Sequence, residues 1–274
     1  MRPLVGPIRG VAVIAGLVVV TAGLFPVHWV ALKLGHPLAG RLPMLWHRAA
    51  RTLIGLKIVE HGRPATARPL LIAANHVSWL DIVVLGSLMP LSFVAKAEVG
   101  GWPVFGFLAR MQRTVFVDRS RRAATGEAAA ALAGRLAVGD PMVLFAEGTS
   151  SNGNEVKPFR SALLGAARQA LTDDGAAVTV QPLSIAYTRL AGMPLGRHRR
   201  ALVAWYGDMD LAPHLWRLVT GEGLDAEVSW GRAIPLAAGG DRKATAAAAE
   251  RSVRRLTAAA LAGRIGDVRD QLSA

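Results

Sequence analysis

Residues 69–88 read PLLIAANHVSWLDIVVLGSL. After Pro69 the first part is a short apolar run, the length of a strand buried on both faces, and its last part, LDIVVLGSL (80–88), reads as a helix. Between them stand Asn75, His76, Ser78 and Asp81. A buried strand that passes through a polar turn into a helix is the building unit of a layered α/β domain. It also puts two titratable groups at the carboxyl end of a strand, where ligand sites gather in open α/β sheets.

The alternation continues downstream. LSFVA (91–95), TVFVD (114–118), PMVLFA (141–146), AVTVQPLSIAYT (177–188), ALVAWYG (201–207) and AEVSWGRAI (226–234) read as strands. RAATGEAAAALAGRLAVG, ending at Gly139, reads as a helix, as does PFRSALLGAARQAL (158–171) with Pro158 at its start. A last helix is expected from near Asp241 to about Leu261. There is no internal repeat and no low-complexity linker. Residues 61–274 are therefore expected to form one α/β domain, a layered sheet with helices on both faces.

Residues 1–60 differ. Between Arg9 and Lys33 there is no formal charge, and about 20 apolar helical residues span a bilayer core. A secretory signal is the competing reading, but the stretch is long for one and no small-x-small cleavage site follows. The next segment, LPMLWHRAARTLIGLKIVEHG, places Leu42, Leu45, Trp46, Ala49, Leu53 and Leu56 near helical spacing with Arg48, Arg51 and Lys57 between them. That is the pattern of a basic amphipathic helix at a lipid surface. Residues 1–60 are expected to anchor the chain to membrane lipid. Basic residues flank the apolar stretch on both sides, so orientation does not follow from charge.

Composition narrows the chemistry. The 274 residues are 52% hydrophobic and include no cysteine, which excludes disulfides, thiolate metal sites and a cysteine nucleophile. The net charge is +13, carried mostly by arginine, and favours polyanions: nucleic acid, anionic lipid or phosphorylated substrates. A nucleic-acid-binding or non-catalytic membrane-binding protein is the reading from a different class. The arginines are not interleaved with aromatics and no nucleic-acid-binding motif occurs, so no nucleic-acid partner is expected. His28, His36, His47 and His61 are scattered, so no metal site is expected. No Walker or Rossmann loop and no Gly-x-Ser-x-Gly elbow is present.

Three polar clusters follow three strands: NHVSWLD (75–81), DRSRR (118–122) and EGTSSNGNE (147–155). Ser78-x-x-Asp81 also fits a capping box ahead of an apolar helix, and that alone would account for Asp81. The alternative is a base and its orienting carboxylate. Five residues apart on a helix the two side chains would lie about 140° apart. They meet only if His76 precedes the helix and folds back. A His–Asp pair without a nucleophile suits direct activation of a substrate hydroxyl.

NHVSWLD resembles the His-x-x-x-x-Asp signature of the glycerolipid acyltransferase family, which acylates 1-acylglycerol-3-phosphate and related lysolipids. FVAKAEVGGWPVFGFLARMQRTVFVDR, LFAEGTSSNG and VQPLSIA are similar to the family's second, third and fourth blocks, in order. The resemblance implies a two-helix membrane module before the catalytic domain. It implies transfer of an acyl group from acyl-CoA or acyl carrier protein to a lysolipid hydroxyl, with no cofactor. It places the enzyme at the inner membrane, with the catalytic domain on the cytoplasmic face. His76 matches the base and Asp81 its orienting partner. Glu147, Gly148 and Thr149 match the third block, whose Glu helps position the acceptor. Lys96 and Arg119 match basic positions lining the acceptor headgroup site. Ser150 departs from the family, which usually has an arginine there for the acceptor phosphate, and Arg160 is the candidate substitute. The acceptor implied first is 1-acyl-sn-glycerol-3-phosphate; lyso-ornithine lipid, used by relatives with similar third blocks, is the alternative.

Overall fold

A computed structural model describes residues 5–117, 122–168, 177–237 and 240–273. In chain order its elements are α1 (Val5–Lys33), α2 (Leu38–Ile54), β1 (Leu56–His61), β2 (Leu70–Ala74), α3 (Leu80–Leu88), β3 (Ser92–Lys96), α4 (Ala97–Gly100), α5 (Phe105–Met111), β4 (Val115–Val117), α6 (Arg122–Ala137) and β5 (Met142–Phe145). Then follow α7 (Ser161–Arg168), β6 (Val178–Leu190), β7 (Met193–Pro194), α8 (Arg197–Arg200), α9 (Leu211–Thr220), β8 (Leu224–Trp230), β9 (Ile234–Leu236) and α10 (Arg242–Leu261).

β2 is the centre of the sheet. It pairs in parallel with β5 on one side and β6 on the other, in the order β1-β8-β6-β2-β5-β3-β4. β8 runs antiparallel to β6, so the sheet is mixed. Because successive strand side chains point to opposite faces, β2 feeds two cores. Leu70, Ile72 and Ala74 pack with Ala50 of α2, Val84 of α3 and Val219 of α9. Leu71 and Ala73 pack with Leu132 of α6, Leu164 of α7 and Val253 of α10. Both faces are covered, which is why this strand reads as an unbroken apolar run. Each fully buried Leu or Ile contributes roughly 1.5–3 kcal/mol.

α1 is also apolar but lies along the outside. Its 29 residues bury only Gly10, Val13, His28 and Ala31. The Arg9 guanidinium donates to the carbonyl of Val219 at the end of α9 and to that of Ile54 at the end of α2, the latter at 2.6 Å. A cation suits both positions, since helix C-termini carry unsatisfied carbonyls and partial negative charge. Further along, the Trp46 indole donates to Thr21 Oγ1 at 2.8 Å. His28 Nε2 donates to the Met111 carbonyl at 2.8 Å. The opposite face, with Val11, Val18, Val19 and Trp29, is exposed.

The structure departs from the sequence reading in three places. The amphipathic helix ends at Ile54, because Gly55 takes a left-handed conformation (φ 79°) that closes the last turn. Residues 56–61 then form β1, paired with β8, so the sheet begins before residue 61. ALVAWYG is not a strand; its buried Val203 and Ala204 lie in a turn held by the Trp205 amide on the Val77 carbonyl at 2.9 Å. α9 was not foreseen, although Leu211, Leu215 and Leu218 have helical spacing. The helix starting at Pro158 is described as α7 only to Arg168.

Candidate active site

The site is built where β2 and β5 end. Asn75 first extends the sheet past the last β2 residue. Its side-chain amide donates to the Ile185 carbonyl at 2.9 Å and its oxygen accepts from the Ile185 amide at 2.8 Å. This pins β6 against the polar turn. His76 then leaves the strand, and Asp81 sits in the first turn of α3, completely buried.

The two side chains meet as the fold-back requires. His76 Nδ1 lies 2.8 Å from Asp81 Oδ2. The same oxygen accepts the Val77 amide at 2.7 Å and the Ser78 amide at 3.0 Å. Oδ1 accepts the Tyr187 hydroxyl at 2.7 Å. Asp81 thus both closes the turn and holds the ring. Only half of the capping box forms, because Ser78 Oγ is buried without a partner. With the Nδ1 proton given to Asp81, His76 Nε2 is the acceptor nitrogen, and no protein partner occupies it among the described residues. The imidazole stacks on the Phe145 ring (centroids 4.0 Å, planes 18° apart), and Phe145 stacks in turn on Phe93. One ring face is thereby closed to water, and the His76 side chain keeps 18% exposure.

Glu147 stands behind this pair. Its Oε1 accepts the His76 amide at 2.8 Å and its Oε2 the Lys157 amide at 2.9 Å. Both oxygens are used by main chain and the residue is buried. Glu147 therefore ties the loop after β5 to the turn that carries His76. Burial pushes its carboxyl up to about 7, against the two amides and the Lys157 ammonium, which favour the charged form. Burial and the Asp81 carboxylate hold the Tyr187 phenol well above its usual range, so it remains the donor in its bond to Asp81.

Gly148, with φ 73°, turns the loop in a conformation that favours glycine. It leaves Thr149 exposed at the surface. Ser150 is buried, and its carbonyl accepts the Lys157 ammonium at 2.7 Å. The Lys157 ammonium therefore lies beside Ser150. Arg160 reaches the loop too, its Nε 3.3 Å from the Glu147 carbonyl. Lys96 lies exposed at the end of β3, opposite Val117 of β4. Arg119 lies outside the described residues. Tyr187, Lys157 and Asn75 were not singled out from sequence; the alternation in SIAYT, which puts Ile185 and Tyr187 on one face, is the signal that could have found Tyr187. No group of His, Asp and Glu among the described residues could hold a metal ion.

This geometry agrees with the comparisons to known proteins. The acyltransferase family model matches residues 57–186. The chain is 47% identical over 262 residues to lyso-ornithine lipid O-acyltransferase of Brucella abortus, covering 95% of this chain and 98% of that protein. It is 41% identical to the enzyme of the same name from Rhizobium meliloti, over 90% of this chain and 85% of that one. It is 34% identical to 1-acyl-sn-glycerol-3-phosphate acyltransferase of Neisseria meningitidis, over 75% of each chain. The crystal structure of a 1-acyl-sn-glycerophosphate acyltransferase from Thermotoga maritima shares the fold, with a TM-score of 0.58 and 19% identity over 92% of this chain and 96% of that one. The chain belongs to the acyltransferase family.

Proposed function

We propose that the protein transfers a fatty acyl group from acyl-CoA or acyl carrier protein to the free hydroxyl of a lysolipid at a membrane surface, with His76 as general base. The observation that carries this is the Nδ1–Asp81 contact, which leaves Nε2 as the free acceptor at the end of the central strand. Nε2 takes the proton of the substrate hydroxyl as its oxygen attacks the thioester carbonyl. Asp81, buried behind the ring, stabilises the imidazolium that forms. When the tetrahedral intermediate collapses, the C–S bond breaks and the imidazolium proton passes to the leaving thiolate. No cofactor or metal enters these steps.

Of the two acceptors the sequence leaves open, lyso-ornithine lipid is favoured. The relatives of that name are more identical and match more of both chains than the glycerophosphate enzyme does. The buried Ser150 also removes the bidentate donor that suits a phosphate. The test is an acceptor panel: purified protein with labelled acyl donor and either lyso-ornithine lipid or lysophosphatidate. Faster labelling of lysophosphatidate would overturn the acceptor assignment.

We also propose that α1 and α2 hold the enzyme on the cytoplasmic face of the inner membrane. α1 is long and apolar enough to cross a bilayer, with a mean hydropathy of 2.3 over its apolar window. Gly10 lies against Trp216 of α9 and Gly16 against Leu53 of α2, so the first half of α1 lies close to the domain. That supports an anchor embedded along one leaflet. Membrane pelleting that resists salt and yields to detergent is the expected behaviour.

A further inference from the structure

We infer that Tyr187 is a positioning residue of the His76–Asp81 pair, acting through Asp81 by holding the carboxylate oxygen that the catalytic turn leaves free. The inference rests on His76 serving as the base.

The geometry singles out this hydroxyl. Asp81 is fully buried, and burial alone would drive a carboxyl toward its neutral form. A neutral Asp81 could not hold the Nδ1 proton or stabilise an imidazolium. Donors aimed at the carboxylate oppose that drift. Three of them, His76 Nδ1 and the Val77 and Ser78 amides, converge on Oδ2. Among the described residues Oδ1 has one donor, the Tyr187 hydroxyl at 2.7 Å. Tyr187 is itself buried and has no other hydrogen bond to offer this site.

The fold fixes where that hydroxyl points. Asn75 clamps both main-chain groups of Ile185. Two residues further along β6, Tyr187 lies on the same face as Ile185, in the core that holds α3. The register between β6 and β8 shifts immediately after Tyr187, and such irregularities re-aim side chains beside active sites. The turn that carries His76 therefore selects, through Asn75, the β6 residue that braces Asp81.

Among the described residues the titratable groups around the pair are Tyr187, Glu147, Lys157 and His214. Glu147 and Lys157 lie behind His76 in the loop after β5. His214 of α9 accepts the Trp79 indole on the outer side of the turn. Neither Glu147 nor His214 donates to Asp81, so neither replaces Tyr187.

The consequence has a sign. Without the phenol, the charge on Asp81 is less stabilised, and the pair binds its proton more tightly. The acidic limb of the rate profile then moves to higher pH. Tyr187→Phe in the full-length, detergent-solubilised protein is expected to lower kcat about tenfold to a hundredfold, the range for a hydrogen bond to a charged group. The lysolipid KM should stay within about twofold, because Tyr187 does not face the substrate.

A second variant keeps the idea testable if the first does not fold. The chain has two tyrosines, so in a Tyr206→Phe background, biosynthetic 3-fluorotyrosine labels position 187 alone. A fluorophenol is a stronger donor, so the acidic limb should move to lower pH. The fluorine resonance should also move when Asp81→Asn is added. An unmoved limb in either variant, with His76→Ala inactive, would overturn the role of Tyr187 and leave the base intact. An active His76→Ala variant would overturn the base itself.

Discussion

Two stretches of this chain are almost equally apolar and meet opposite fates. LLIAA in β2 is buried to the last atom, while α1 leaves most of its side chains outside. Apolarity alone did not decide which. β2 hydrogen-bonds to a parallel neighbour on each side, so its side chains must go up or down, and helices cover both faces. α1 satisfies its own backbone, needs no partner strand, and packs by one stripe of small and polar residues. Its remaining face requires an apolar solvent. The difference follows from backbone pairing: β2 is walled in by a strand on each side and helices on both faces, and α1 is free to leave a face uncovered. The predictions below test each half, starting from the largest effect.

The polar end of β2 should matter most. His76→Ala is expected to cost roughly 10²–10⁴ in rate, the range for losing a general base, with the melting temperature little changed. Turnover within threefold of wild type in a folded variant would separate the burial of β2 from catalysis. Asp81→Asn should cost less, about a hundredfold. An amide can still accept from the turn and donate to the Tyr187 oxygen, yet it carries no charge to hold an imidazolium. A pure helix cap predicts the reverse, a stability loss of about 0.5–2 kcal/mol with near-normal turnover. Melting temperature and turnover on one preparation distinguish the two.

The strand half of the comparison was legible in the sequence, and so was the pair at its end. A five-residue apolar run between Pro69 and Asn75 leaves little choice but a two-faced strand, and a histidine before a capping aspartate leaves a fold-back as the way to meet. What was not legible depended on partners distant in the chain. Gly55 reads as a minor break in a helix until β8 offers the following residues a neighbour. The two main-chain partners of Glu147, the His76 and Lys157 amides, come from separate segments and leave no local mark in the sequence. Tyr187 is 106 residues from Asp81, and nothing local marks it. Lys157 lies seven residues beyond Ser150 and returns to it only through the loop.

The two apolar stretches should also respond differently to the same truncation. Ile72→Ala empties a fully buried site and is expected to destabilise by about 2–5 kcal/mol. Val18→Ala removes methyl groups from a side chain that is 61% exposed, and in detergent should cost no more than about 0.5 kcal/mol. Val18→Glu should leave the detergent-solubilised fold and turnover intact while weakening binding to vesicles. Equal destabilisation by the two alanines would show that the exposed face of α1 packs on protein. Unchanged vesicle binding of Val18→Glu would remove that face from the lipid contact.

The smallest effect concerns a buried carboxyl beside the strand end. Glu147 has an ordinary value of 4.5, and burial raises it to about 7 in the folded chain. Between those values the folded protein binds a proton that the unfolded chain has released. Stability from this group is therefore fully present below pH 4.5 and is lost as the pH rises through 7. Glu147→Gln cannot titrate. The melting temperature of the wild type relative to Glu147→Gln should fall between pH 5 and pH 8 and level off above that. A difference that stays flat across the window would mean that the two main-chain amides keep Glu147 ionised throughout. In that event the loop after β5 is held by a permanent anion, and the buried end of the site tolerates a charge as readily as the exposed face of α1 tolerates lipid.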